Sequence, residues 1–188
     1  MSSIGKKIMI WGAVMALGTP VFAQANSTSG WVFDFSANAL VPQAQPAGLG
    51  GAPAVGYSAR DFNIFFRPEV LIAEPGGNQR MILVPTALFE VKVGILPGFI
   101  TLLPYVSVGG IGTKIKRPDS TLGEQSFALY AEGGVGAEFQ MTHEISLVPR
   151  LGVASALIYQ LPDSNNFSGM TLSLAIRFTL NRSKALSY

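Results

Sequence analysis

The chain has 188 residues, enough for one ordinary domain, and combines a hydrophobic content of 48 % with only 13 % charged residues. A typical soluble domain has roughly twice that charged fraction. The formal net charge of +2 comes from Lys6 and Lys7, since the remaining basic and acidic residues cancel, so the charge does not favour nucleic-acid binding. The chain contains no cysteine, which excludes a disulfide framework and thiol chemistry.

The first segment, residues 1–23, is predicted to be a secretory signal peptide. Its two lysines precede an apolar run at residues 8–17, and a Gly-Thr-Pro break leads to small residues that permit cleavage after Ala23 or after Ala25. An N-terminal membrane anchor is the alternative, but a run of ten apolar residues is too short to span a bilayer, which takes about 20. We expect residues 24–28 to form a short leader in the exported chain.

Beyond residue 29 apolar and polar residues alternate with period two, which is the pattern of a β-strand with two different faces. The runs extend for ten or more residues, longer than an ordinary strand of about five or six. The clearest of them lie at residues 31–41, 62–72, 83–93, 127–139 and 171–180. This regular alternation predicts an all-β protein with long amphipathic strands.

The clear strands number seven, whereas single-chain bacterial barrels have an even number. An eighth strand is therefore predicted between Val41 and Asp61, at about residues 51–59, where the alternation is weakest. Val55, Tyr57 and Ala59 would form its outward side. Residues 42–50, rich in Pro, Gly and Ala, would then be a loop.

The connections between the predicted strands alternate between short and long, as they do in outer-membrane barrels with short periplasmic turns and longer outside loops. With the last strand running towards the periplasm, the short connections at 95–98 and 141–143 lie inside. The long polar connections at 74–80, 115–125 and 159–167 lie outside.

Two glycine clusters, "GGIGTK" at residues 109–114 and "GGVG" at 133–136, resemble nucleotide-binding loops at first sight. A dinucleotide fingerprint needs a strand, a tight turn and a helix, and a phosphate loop needs Gly-Lys followed by Ser or Thr. Neither cluster meets these conditions, and the second lies inside a predicted strand. We expect its glycines to make room for bulky neighbours on the inside of a small barrel.

The composition of the polar faces distinguishes a membrane barrel from a soluble sandwich or carrier. The polar faces carry mostly Gly, Ser, Thr and Ala with few charges, which favours a lipid-facing apolar exterior over a soluble sandwich or carrier. Aromatic residues near the predicted strand ends fit the girdles of a membrane barrel: Trp31, Phe62, Phe99, Phe127, Phe139 and Phe178. A transmembrane helix at residues 93–112 remains an alternative, although two prolines and five glycines oppose it.

Strand parity places nine charged residues inside the barrel, where we expect them to form a structural network of ion pairs, because buried charges persist when they are paired. Two same-strand pairs, Arg67 with Glu69 and Glu90 with Lys92, can meet on one face, and bridges between strands are expected more often. A solvated lumen without specific pairs is the alternative. The nine residues are Asp34, Arg67, Glu69, Glu90, Lys92, Glu132, Glu138, Arg150 and Arg177.

With its leader, amphipathic strands and alternating connections, the chain resembles the small bacterial outer-membrane β-barrels of the OmpA-transmembrane, OmpX and OmpW group over residues 29–182. Ala175, Phe178 and Leu180 resemble the spacing of the closing assembly signal of these barrels, with Ala at the usual Gly position. The chain departs from the pattern because residues 183–188 follow as a tail. The resemblance implies an eight-stranded antiparallel up-and-down transmembrane β-barrel in the bacterial cell outer membrane, with outer-membrane lipids and the barrel-assembly machinery as partners.

The expected function is that of an integral membrane barrel, structural or surface-interacting, with loops displayed outside and a mostly plugged lumen. A small channel and a soluble periplasmic carrier are the alternatives. No enzyme activity, cofactor or metal is expected, because the single histidine, His143, lies in a predicted turn and no Ser-His-Asp arrangement or metal-binding spacing is found.

Overall fold

A computed structural model of the protein describes residues 29–42, 47–73, 79–96, 99–116, 125–156 and 168–181. The predicted signal peptide, the leader at 24–28 and the tail at 183–188 lie outside these residues. The same holds for most of each predicted long connection.

All of the described elements are β-strands, and each pairs antiparallel with its neighbours in the sheet. The first and last strands also pair with each other, from Gly30 opposite Asn181 to Pro42 opposite Gly169. The strands are β1 (Gly30–Pro42), β2 (Gly48–Ser58), β3 (Phe62–Ala73), β4 (Gln79–Val91), β5 (Val93–Leu96), β6 (Ile100–Lys116), β7 (Gln125–Gln140), β8 (Ile145–Ala156) and β9 (Gly169–Asn181).

The sheet closes into an eight-stranded up-and-down barrel, as the sequence predicts. Segments β4 and β5 count as one barrel strand, because both pair with β6 and only Lys92 separates them. Closure leaves no free sheet edge, so every strand has hydrogen-bonded neighbours on both sides.

The eighth strand predicted between Val41 and Asp61 is confirmed as β2, which begins three residues earlier than expected. Ala59 lies beyond its end, in a turn where the Ala59 N–H donates to the Phe62 carbonyl over 2.8 Å. The glycines that blur the alternation are required by close packing. A Cβ atom at Gly50 would collide with the backbone carbonyl of Val70 on β3.

Two ends of the barrel can be distinguished by their connections. The end that carries the turns at 59–61 and 141–144, together with Gly30 and Asn181, is called the turn end here, and the opposite end is the loop end. In the turn 141–144, the backbone N–H groups of Met141 and Thr142 both donate to the Ile145 carbonyl over 3.0 Å.

Three of the predicted outside loops are shorter than expected. The loop predicted at 42–50 loses its ends to β1, which extends to Pro42, and to β2, which begins at Gly48. Segment β4 begins at Gln79, inside the connection predicted at 74–80. Strand β6 continues to Lys116 and β7 begins at Gln125, so both ends of the 115–125 connection belong to strands.

The helical alternative at residues 93–112 is wrong, since this segment forms β5 and most of β6. In the part of the chain that the structure describes, no helix has the length and apolar character needed to cross a membrane.

Candidate functional site: the barrel interior

The nine charged residues assigned to the interior by parity all point into the barrel. Seven of them are buried, while Lys92 and Glu138 are partly exposed at the turn end. Eight of the nine form two groups, separated along the barrel axis, and Lys92 belongs to neither. The turn-side cluster consists of Asp34, Glu90, Glu138, Arg150 and Arg177, and the mid-barrel cluster consists of Arg67, Glu69, Glu132, Tyr105, Tyr130 and Thr171.

In the turn-side cluster, two arginines share two fully enclosed carboxylates. Arg150 Nη2 lies 2.6 Å from Asp34 Oδ2 and 2.8 Å from Glu90 Oε1. Arg177 Nε lies 2.8 Å from Asp34 Oδ1, and its Nη2 lies 2.7 Å from Glu90 Oε2. Each carboxylate therefore keeps one arginine if the other is lost.

Arg177 links this cluster to the wall around it. Its Nη1 lies 3.3 Å from Glu138 Oε2 on β7, and its guanidinium carbon lies 4.9 Å from the centre of the Phe65 ring on β3. Asn63 adds a donor, because its Nδ2 lies 2.9 Å from Glu90 Oε2. The cluster and these contacts link side chains from six of the eight barrel strands, namely β1, β3, β4, β7, β8 and β9. They therefore connect parts of the sheet that are not adjacent in the barrel wall.

Lys92 does not contact Glu90, the same-strand partner expected from the sequence. Its Nζ donates to Ser58 Oγ and, over 2.7 Å, to the Ala59 carbonyl. The considered pairing with Glu90 is not among the ion pairs of the described residues. The ammonium thus holds the β2–β3 turn and stays partly in contact with solvent.

The mid-barrel cluster is organised around one carboxylate, Glu132, in the middle of β7. Arg67 Nη2 donates to its Oε2 over 2.6 Å, and the Tyr105 hydroxyl donates to its Oε1 over 2.7 Å. The Thr171 hydroxyl donates over 2.8 Å, and the Tyr130 hydroxyl contributes a longer bond of 3.3 Å. Four strands thus converge on a single side chain.

Glu69 is held much less firmly than Glu132. Its only ion pair among the described residues is with Arg67 Nη2 at 3.5 Å, and that nitrogen is already 0.9 Å closer to Glu132. The same-strand pairing of Arg67 with Glu69 therefore forms, but the stronger bridge crosses the lumen. The cluster contains two carboxylates and one guanidinium.

Arg80 and Tyr105 are two of the inward side chains that the sequence reasoning missed. Arg80 was assigned to a loop, although it shares parity with Thr86 and Glu90 on the same strand and is buried. Tyr105 was missed because prolines and glycines obscure β6, but it alternates with the outward Val106. Extending strand parity through these weaker segments would have found both.

Inward glycines give the large polar side chains their space, as the steric interpretation of the glycine clusters predicts. A Cβ atom at Gly136 would lie 3.0 Å from Arg150 Cγ. One at Gly152 would collide with the Tyr105 hydroxyl and lie 2.8 Å from Thr171 Oγ1. Gly134 and Gly136 lie within strand β7, so they do not open a phosphate loop.

The described residues offer no arrangement of His, Asp and Glu that would hold a metal ion. His143 lies exposed in the 141–144 turn, away from the two clusters. The chemistry that the interior supports is mutual charge compensation and hydrogen bonding between strands.

The fold is similar to that of solved bacterial surface proteins. Neisserial surface protein A matches with a TM-score of 0.61 at 10 % identity over 81 % of this chain and 97 % of its own. A major outer membrane protein from Thermus thermophilus matches with a TM-score of 0.56 at 16 % identity over 80 % and 99 %. The attachment invasion locus protein Ail of Yersinia pestis matches with a TM-score of 0.52 at 11 % identity over 81 % and 99 %.

No protein-family profile and no curated protein matches the sequence significantly. The structural matches, with identities of 10–16 %, show that the chain has the closed eight-stranded fold of outer-membrane β-barrels.

Proposed function

We propose that the protein is an integral outer-membrane barrel with a structural or surface-interacting role and a filled lumen that does not conduct solutes. The observation that carries this proposal is the apolar exterior. Large apolar side chains are exposed on the outward face of every barrel strand, including Phe35 at 58 %, Leu49 at 63 % and Val153 at 58 %. Soluble proteins rarely expose apolar patches of this extent.

The arrangement of the two faces opposes the soluble-carrier alternative. A soluble carrier has an apolar interior and a polar surface. Here the interior contains buried arginines and carboxylates among its apolar side chains, and the outward surface consists of exposed Phe, Leu, Ile and Val. A lipid bilayer is the environment that accepts this exterior without cost.

Aromatic side chains at the turn end support the same placement. Trp31 and Tyr57 pack edge to face with their ring centres 6.4 Å apart, and Phe62 and Phe89 lie 5.7 Å apart. All four side chains point outward near strand ends. Aromatic girdles occupy this position at the boundary between lipid and headgroups.

The interior supports the non-conducting part of the proposal. An eight-stranded barrel is just wide enough to be filled by side chains. Here Arg67, Arg150 and Arg177 reach across the lumen to carboxylates on other strands, and Tyr105 and Tyr130 occupy the space between. An open channel for solutes would require these contacts to separate.

For orientation we propose that the turn end faces the periplasm and the longer connections face outside, where they meet partners. Outer-membrane lipids surround the strands, and the barrel-assembly machinery inserts them. An epitope tag inserted after Ser120, in the connection between β6 and β7, is expected to bind antibody on intact cells. Binding only after permeabilisation would reverse the orientation.

The membrane assignment is tested by an outward charge. Val135→Arg places a guanidinium on the apolar exterior and is expected to lower the free energy of unfolding in lipid vesicles by about 2–4 kcal/mol. Met141→Arg, in the turn, is the matched control and should cost about 0–1 kcal/mol. A full-length chain that stays folded and monomeric in buffer without detergent or lipid would contradict the proposal.

The filled lumen is tested by conductance in a planar bilayer. The proposal predicts no stable openings after insertion, with insertion itself checked by protease protection of the strands. Large, long-lived and weakly selective openings would overturn the plugged-lumen proposal and favour the small channel.

A further inference from the structure

Several strands of the barrel wall carry a proline near their middle, including Pro53 in β2, Pro68 in β3 and Pro85 in β4. A proline lacks the N–H group that a strand donates to its neighbour, so prolines in sheets are found mainly at edges, strand starts or bulges. A closed barrel has no free edge. Each of these prolines therefore removes a donor from a hydrogen-bonded ladder of the wall.

The largest interruption lies between β2 and β3. Pairing stops after Gly51 opposite Val70 and resumes at Val55 opposite Phe66. The register is the same on both sides of the interruption, so no residue is inserted and the two strands stay aligned. We call the skipped positions the β2–β3 seam, which consists of residues 52–54 on β2 and residues 67–69 on β3.

At the centre of the seam Pro53 faces Pro68, and two hydrogen bonds are absent. Along an antiparallel strand, successive residues direct their N–H and C=O groups alternately to one neighbouring strand and to the other. Pro68 also faces Pro85 in the uninterrupted β3–β4 ladder, which two residues without N–H groups can do only at a non-hydrogen-bonded position. The carbonyl of Pro68 is therefore directed at β2, where Pro53 offers no donor in return.

Single prolines cause smaller interruptions elsewhere in the wall. Pro85 faces Gly110 on β6, and Pro149 on β8 faces Ala137 on β7, and pairing skips two positions at each of these sites. Gly110 and Ala137 still carry an N–H group, so one of the two hydrogen bonds can form there. The β2–β3 seam is therefore the weakest of these three places in the backbone ladder.

The described side chains add no hydrogen bond across the seam from inside. The inward residues of β2 at this level are Ala52 and Ala54, which have no polar side-chain atoms. Arg67 reaches away from the seam, across the lumen, to Glu132 on β7 at 2.6 Å. On its other side β2 pairs with β1 along its whole length without interruption. Strand β2 is thus held firmly by β1 and weakly by β3.

The seam is bounded at both ends by paired residues. Towards the turn end, Lys92 Nζ also donates to the Ala59 carbonyl over 2.7 Å and holds the β2–β3 turn. Four residue steps separate Gly51 from Val55, which corresponds to roughly 13 Å along an extended strand. Separation of the strands at the seam therefore leaves a short slit whose two ends stay closed.

We propose that the β2–β3 seam opens transiently as a lateral slit in the barrel wall. Opening at its centre breaks no backbone hydrogen bond, because neither Pro53 nor Pro68 has a donor to lose. Both prolines point outward near the middle of their strands, so the slit faces the lipid core and not either end of the barrel. The inference goes beyond the proposed function, since it concerns the wall and needs no conducting lumen, and only the lipid on its outer side rests on that function.

Residue-resolved amide hydrogen exchange of the full chain in detergent micelles tests the slit within one strand. Gly51 and Val55 direct their N–H groups at β3 beside the seam, as the alternation from Pro53 requires, whereas Ala52 and Ala54 direct theirs at β1. After correction for intrinsic rates, Gly51 and Val55 are expected to exchange at least about tenfold faster than the two alanines, a ratio that corresponds to about 1.4 kcal/mol. Equal exchange of the two sets would overturn the slit.

Restoring the missing donors should close the slit. The double variant Pro53→Val with Pro68→Val supplies both N–H groups, and exchange at Gly51 and Val55 should then slow by about tenfold. Pro149→Val is the matched control, because it restores a donor to the β7–β8 ladder and should leave exchange at the seam unchanged. Seam amides that exchange in the folded double variant as fast as in the natural chain would contradict the proposal.

Thiol labelling tests whether the slit reaches the interior from the lipid, since the natural chain contains no cysteine. Ala52→Cys and Ala175→Cys replace inward alanines that are 3 % and 0 % exposed and lie on either side of Ser36 in one row. Ala175 is the matched control, because the ladders on both of its sides are uninterrupted. In lipid vesicles the membrane-soluble reagent N-cyclohexylmaleimide should modify Ala52→Cys at least about tenfold faster than Ala175→Cys.

Adding Pro53→Val and Pro68→Val to the Ala52→Cys variant should remove this difference, which separates entry through the wall from entry along the lumen. Equal labelling of the two cysteines in the inserted barrel would overturn the slit. Insertion into vesicles is measured separately by protease protection. Failure to insert would contradict the proposed membrane function, and the exchange rates in micelles would still decide whether the seam opens.

Discussion

In the turn-side cluster two arginines face two fully enclosed carboxylates, whereas in the mid-barrel cluster one arginine faces two carboxylates. Asp34 and Glu90 each contact both Arg150 and Arg177. Glu132 and Glu69 have only Arg67, and the distances of 2.6 and 3.5 Å show that this arginine is bound unequally. In the first cluster each enclosed carboxylate thus has two arginines, while the third carboxylate, the partly exposed Glu138, contacts Arg177 at 3.3 Å. The second cluster compensates with neutral donors.

This difference shows that duplicate arginine contacts and neutral hydrogen-bond donors are alternative ways to keep carboxylates inside a barrel. The hydroxyls of Tyr105 and Thr171 donate to Glu132 and take part of the role that a second cation has in the turn-side cluster. A buried charge that loses its partner is strongly destabilising, so the two designs predict different sensitivity to the same kind of mutation.

The largest effect is expected for Arg67→Met, because it leaves Glu69 and Glu132 buried without a cation in their cluster. The free energy of unfolding, measured by urea titration in lipid vesicles, should fall by about 3–5 kcal/mol. Adding Glu69→Gln to this variant should recover part of the loss. A decrease below about 1 kcal/mol would show that the mid-barrel cluster is not held by its single arginine.

A smaller effect is expected for Arg150→Met, since Asp34 and Glu90 both keep Arg177. Loss of its charged hydrogen bonds should cost about 1.5–3 kcal/mol in the same titration. The comparison fails if Arg150→Met destabilises the barrel more than Arg67→Met does, because redundancy in the turn-side cluster would then have no energetic consequence.

The neutral donors are tested by removing one hydroxyl at a time. Tyr105→Phe removes a 2.7 Å bond to Glu132 and should lower the free energy of unfolding by about 1–2 kcal/mol. Tyr130→Phe is the matched control, since its bond to the same carboxylate is 3.3 Å long, and it should cost less. Equal losses would indicate that hydroxyl donation to Glu132 is not the source of the effect.

Strand parity was sufficient to find the inward faces, because a strand places alternate side chains on opposite sides regardless of its partner. It did not reveal which charges meet. Arg150 reaches Asp34, 116 positions away in sequence, because of how the strands tilt and stagger around the closed barrel. That geometry is a property of the whole sheet and leaves no local trace in the sequence.

The parts of the fold that were predicted less well share one physical cause. On β2 and the loop end of β6, glycines replace the side chains that would display alternation, because the neighbouring backbone or aromatic ring approaches too closely for a Cβ atom. At Gly109 that atom would collide with the Pro85 carbonyl, and at Gly110 it would lie 2.5 Å from the Phe127 ring. Arg80 was assigned to a loop for a related reason, since a glycine pair precedes its strand.

The smallest effect is expected for Glu69→Gln, and it distinguishes charge balance from hydrogen bonding within one cluster. The substitution leaves one guanidinium opposite one carboxylate and removes only a 3.5 Å contact, so the free energy of unfolding should change by less than about 1 kcal/mol. Glu132→Gln is the matched control, because it removes the same charge from the side chain that accepts four hydrogen bonds. The NH2 group of the new glutamine would point its hydrogens at two of these four donors. That variant should lose about 1–3 kcal/mol. If Glu69→Gln were the more damaging of the two, the weakly held carboxylate would be an essential partner of Arg67, and the unequal sharing of this arginine would not describe how the mid-barrel cluster is stabilised.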